Sequence, residues 1–126
     1  MANRTDEAER LDTLEVLSDW ARDGAVMTAK ATIPASAKYV YLPFFYGDLT
    51  FAIDGNIIGQ TVIPKVYRTR TMDAYPIPER YRGKQAELQI RWHEPDDIGG
   101  FDAKMPFGDD FVPSTVGLFA DVEIRG

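Results

Sequence analysis

YVYLPFFYGDLTFAIDGNIIG, residues 39 to 59, is the stretch whose reading decides the fold. It divides into an apolar strand, a loop at Tyr46-Gly47-Asp48, and a second strand over Leu49-Thr50-Phe51-Ala52-Ile53. Leu49, Phe51 and Ile53 alternate with Thr50 and Ala52, so one face of that strand is strongly apolar. The turn Asp54-Gly55-Asn56 follows. Asp-Gly and Gly-Asn steps accept the positive φ angles of tight hairpin turns, which fixes strand register. Ile57, Ile58 and Gly59 continue beyond the turn.

Outward from this hairpin the β pattern persists. On the C-terminal side, Gln85 to Trp92 alternates without a break: Ala86, Leu88, Ile90 and Trp92 point one way, Gln85, Glu87, Gln89 and Arg91 the other. That is the pattern of a half-buried antiparallel strand. Leu88, Ile90 and Trp92 are therefore expected to share a core with Phe51 and Ile53. On the N-terminal side, Met27, Ala29, Ala31 and Ile33 alternate with Thr28, Lys30 and Thr32. Thr61 to Arg70 is rich in β-branched and aromatic residues, with Pro64 marking an edge or bend. Val116, Leu118, Ala120, Val122 and Ile124 alternate in one final strand. Ala74 to Gly83 reads as loop with a single turn at Pro78 to Arg82, and Glu94 to Ser114 as a long irregular segment rich in Gly, Pro and Asp.

Residues 5 to 20 carry a mixed signal. Leu11, Leu14, Leu17 and Trp20 recur every three residues, Thr5 suits an N-cap, and Asp6, Glu7 and Glu9 suit a first turn. Leu14-Glu15-Val16 could equally be extended. A short helix is the preferred reading. The expected organisation is an N-terminal segment over 1–24 followed by one antiparallel β-sandwich over 25–126, an all-β fold.

The chain has 126 residues, the size of one domain, and two Trp, six Tyr and seven Phe give material for one core. Its net charge of −6 and pI of 4.7 disfavour nucleic-acid binding. Lys65, Arg68, Arg70, Arg80, Arg82 and Lys84 cluster locally, as on a solvated strand face and loop. With no cysteine there are no disulfides, no thiolate chemistry and no cysteine-ligated metal. No segment reaches the ~18 apolar residues of a membrane span. The polar start MANRTDEAER lacks the apolar stretch of a secretory signal. Synthesis in the cytoplasm is the expectation.

Taken in order, several pieces resemble the galactose-binding-like jelly roll, the sugar-binding sandwich attached to family 2 glycosidases and sialate esterases. They are Thr32-Ile33-Pro34-Ala35, Tyr46-Gly47-Asp48, Ile53-Asp54-Gly55-Asn56-Ile57-Ile58-Gly59, Tyr81-Arg82-Gly83-Lys84 before the long strand, and Val116-Gly117-Leu118-Phe119-Ala120-Asp121-Val122. The resemblance implies a jelly roll that is usually non-catalytic and carries its binding residues in variable loops. No residue role transfers by motif.

The residues themselves give no catalytic set. His93 is the single histidine and sits at a strand end, where a surface or hydrogen-bonded role is the default. Ser18, Ser36 and Ser114 lie in no nucleophile elbow. Glu94, Asp96, Asp97, Asp102, Asp109 and Asp110 offer hard oxygen ligands of the kind calcium takes, but their spacing fits no EF-hand, and no resident metal or cofactor is expected. Phe101, Phe107 and Phe111 in the long loop, with Tyr46 at the hairpin, are the candidate contacts to a protein partner or a glycan. Loops of this length inside a domain are usually functional or disordered. Two functional expectations follow. The first is a non-catalytic structural or attachment module contacting other protein subunits, such as a phage virion protein able to meet cell-surface glycan. The second is a carbohydrate-binding accessory module of a glycan-active enzyme. Neither requires membrane insertion.

Overall fold

A computed structural model of the chain describes residues 4–62, 71–93 and 117–126. These form a helix α1 (Arg4–Glu9), ten strands β1 (Thr13–Leu17), β2 (Ala21–Asp23), β3 (Val26–Thr32), β4 (Tyr39–Tyr46), β5 (Asp48–Ile53), β6 (Asn56–Thr61), β7 (Thr71–Pro76), β8 (Gln85–His93), β9 (Gly117–Leu118) and β10 (Val122–Arg125), and one 3-10 turn (Glu79–Tyr81). One sheet runs β1-β10-β4-β7, with β9 also on β4; the other runs β2-β3-β8-β5-β6. The pairings are antiparallel. The fold is an all-β sandwich of two antiparallel sheets.

The hairpin and the alternating strand land together, as expected. Phe51 pairs with Ile90, Ile53 with Leu88 and Leu49 with Trp92. All but Trp92, at 5 % exposure, are fully buried. Asp54 and Gly55 take φ of +50° and +81°, the left-handed pair that a two-residue hairpin turn needs. Tyr75 of the facing sheet stacks on Phe51 at 5.1 Å between ring centroids. Gly59, opposite Phe51, makes room for it: a Cβ there would lie 2.8 Å from Tyr75 Cδ1.

Three local expectations are corrected. The helix stops at Glu9, and Leu14 and Leu17 belong to β1, which pairs with β10. A bulge between Thr13 and Glu15 breaks the two-residue period, so residues three apart both pack on the core and imitate helical spacing. Ala74 to Pro76 is strand, not loop: β7 pairs with Tyr39 to Leu42 of β4. The final strand is two strands, β9 on Phe45 and Tyr46, β10 on Tyr39 to Tyr41. The interruption faces the shift in register at Pro43 and Phe44, where proline has no N–H to donate and the ladder slips. The segment over 1–24 thus supplies β1 and β2 to the two sheets. The strand reading beyond Val62, through Arg70, and the long irregular segment Glu94 to Ser114 lie outside the described residues.

Candidate functional site

Of the four aromatic contact residues singled out in the sequence, Phe101, Phe107 and Phe111 fall outside the described residues. The acidic residues from Glu94 to Asp110 do so as well. Tyr46 is buried, opposite Gly117 at the end of β4. Its neighbour Phe44 is half-buried and packs on Phe119, 5.3 Å between centroids, while the Phe119 amide donates to the Phe44 carbonyl.

The titratable groups displaced from their ordinary values gather at one edge, where β6 and β7 face each other. Arg4 reaches from α1 and donates Nε and Nη2 to the two Asp73 oxygens at 2.9 and 3.0 Å. Thr61 Oγ1 donates to Asp73 at 2.6 Å and also meets the Tyr75 hydroxyl, and the Ala74 amide donates to Asp73 at 2.7 Å. Burial pushes the Asp73 carboxyl up, but the hydrogen bonds from Arg4, Thr61 and the Ala74 amide outweigh it and hold the group below its usual range. Burial drives the Tyr75 phenol up, against the opposing hydrogen bond from Thr61. The Arg4 guanidinium lies over the Tyr75 ring, 5.0 Å from its centroid. Tyr39 donates its hydroxyl to Glu7, the main reason its phenol is raised.

A second arginine completes the fastening of α1. Arg125 Nη1 donates to the carbonyls of Ala8, Glu9 and Leu11 at 3.2–3.3 Å, satisfying the helix C-terminus from outside. Its guanidinium sits 4.7 Å from the Tyr41 centroid and pairs with Glu123 at 2.9 Å. These arrangements hold elements together. They place no nucleophile beside a base. His93 is exposed and shares a 2.8 Å hydrogen bond with Thr50 Oγ1 across the β5–β8 pair. Among the described residues there is no cluster of three potential metal ligands, and no helix is long and apolar enough to cross a membrane.

The edges of the second sheet differ in chemistry. β2 is three residues long and charged, and Arg22 folds back onto the Gly24 carbonyl at 3.0 Å. β6, at the other edge, pairs with β5, and Ile57 is 73 % exposed; Val62, just past its end, is 64 % exposed. No lysine or proline interrupts residues 56 to 62. Sequence reading passed over this feature because Ile57 and Val62 look like core residues. The chain matches no protein-family model, no curated protein and no solved structure.

Proposed function

We propose that the chain is a non-catalytic structural and attachment module, docking onto other protein subunits of a larger assembly through the β6 edge. The carrying observation is the exposed Ile57 on β6 and Val62 just past its end, at what is, among the described residues, the edge of the second sheet. An edge strand presents unpaired backbone donors and acceptors, and natural proteins normally blunt it with charge, proline or brevity. β2 is blunted by charge and brevity; β6 carries a bulge at Ile58 but neither charge nor proline along its length. Addition of a partner's strand would satisfy the backbone and cover both side chains. A phage virion is the kind of assembly this reading favours: its proteins are made in the cytoplasm and need no disulfides. The non-catalytic character is supported by the use of Asp73, Tyr75 and Tyr39 as ties between elements.

A carbohydrate-binding accessory module is the second reading. It rests on the sandwich architecture shared with galactose-binding-like domains, a fold-level analogy, and on an open cavity walled by Tyr39 and Pro76.

Sedimentation velocity on the purified chain, alone and co-expressed with the proteins of its neighbouring genes, tests the first reading. Larger species are expected, and Ile57→Lys with Val62→Lys should return them to folded monomer. A chain that stays monomeric in both settings and is retained on immobilised polysaccharide would replace the first reading by the second.

A further inference from the structure

We propose that the chain binds a small organic oxyanion, a carboxylate or phosphate on a compact body, in the open cavity between α1, the start of β4 and the turn after the 3-10 helix. The cavity measures about 450 Å³, within the ~300–1,000 Å³ typical of ligand sites. Its wall carries Arg10, Lys38 and Arg82, with Glu7, Tyr39 and Pro76. Three cations and one carboxylate thus meet at one place in a chain whose net charge is −6. Such a local reversal of sign focuses field on an incoming anion.

The single carboxylate is already engaged, since Glu7 accepts the Tyr39 hydroxyl. Among the described residues none of the three cations forms an ion pair with a carboxylate. Arg82 is the most constrained of them. Its Nη2 donates to the Ile77 carbonyl at 3.1 Å, while its Nε is buried without an acceptor. A guanidinium partly removed from water, with one donor unanswered and its charge unopposed, is a costly arrangement that a bound anion relieves. The backbone keeps the wall in place: the Ile77 amide donates to the Lys38 carbonyl at 2.9 Å and the Arg82 amide to the Glu79 carbonyl at 3.1 Å. Residues 10, 38 and 82 are therefore convergent through topology, not through any local motif. The cavity shares no residue with the β6 edge, so this inference stands apart from the assembly reading.

Calorimetric and amide-NMR titrations of the full chain at low salt, with sodium phosphate and with sodium glucuronate, test it. One saturable site is expected, with shifts at the Lys38, Tyr39 and Arg82 amides. Arg10→Gln and Lys38→Gln remove exposed side chains and should each weaken binding roughly tenfold. Glu7→Gln keeps an acceptor for Tyr39, removes the like charge and should tighten binding several-fold. Glucuronate binding more tightly than phosphate assigns a carboxylated ring as the ligand class; the reverse order assigns a phosphate group. Without any variant, affinity should fall steeply as salt rises toward about 0.5 M. Absence of saturable binding for both probes, indifference to salt, or an unchanged affinity in the Arg10→Gln, Lys38→Gln double variant would overturn the proposal.

Discussion

The central strands of the two sheets, β8 and β4, bury their side chains in opposite styles. Along β8 burial alternates at nearly every position, with Ala86, Leu88, Ile90 and Trp92 inside and Gln85, Glu87, Arg91 and His93 outside. Along β4 no such rhythm exists: Val40, Tyr41 and Leu42 are buried in succession. The difference lies in what covers each outer face. Val40 and Leu42 point into the core, while Tyr41 packs outward under α1 with Ala8 and Ala74. Among the described residues the outward side of β8 has no such cover, and it stays polar. A strand wet on one side needs a polar residue every second position; a strand covered on both does not. Six residues of helix thus change what the first half of β4, around Tyr39 and Tyr41, can be made of.

This comparison can be broken where it is sharpest, at the outward faces. Tyr41→Ala should cost about 3–5 kcal/mol, as much as the core truncation Ile90→Ala, because both empty a closed space. Arg91→Ala, outward on β8 and exposed, should stay within about 0.5 kcal/mol. Chemical denaturation of the three variants reads these values directly. A Tyr41→Ala protein as stable as Arg91→Ala would mean that α1 leaves that face open.

Gly55 sharpens the half of the comparison that belongs to the second sheet. A Cβ at Gly55 meets nothing within 4 Å, so steric crowding plays no part. Its φ of +81° does. Gly55→Val should therefore destabilise by about 1–2 kcal/mol through backbone strain alone, and Gly55→Asn by less. Equal loss in the two variants would point to a cause other than the left-handed turn.

The smallest effect belongs to the clasp that carries α1 onto the sandwich. Asp73 has a folded-state pKa below its unfolded value, so the unfolded chain binds more protons as acid is added. The stabilisation it gives is present above about pH 4 and is lost as pH falls through the depressed value. Asp73→Asn should flatten this acid limb and cost roughly 1 kcal/mol near neutrality, a modest figure because Arg4 is 41 % exposed and screened by water. Denaturant midpoints at pH 3 and pH 7 give the test. An unaltered acid limb in the variant would remove Asp73 from the clasp.

Sequence alone determined the hairpin at Asp54-Gly55, the single-faced strand through Trp92 and the sandwich built on them. Each of these is written in short-range chemistry: left-handed φ at a turn, and a two-residue period wherever one face meets water. The tertiary structure decided the rest. Leu14 and Leu17 imitate a helix because a bulge, visible only against β10, shifts their phase. The last strand breaks opposite Leu42 to Phe44 of β4, where five of its own residues span four of that strand. The helix C-terminus closes on Arg125, more than a hundred residues away. The cavity cations at 10, 38 and 82 share no spacing that a sequence pattern could carry. Local patterning encodes what each residue does with its immediate neighbours and with water; phase shifts, remote caps and convergent charges depend on which strands come to lie side by side.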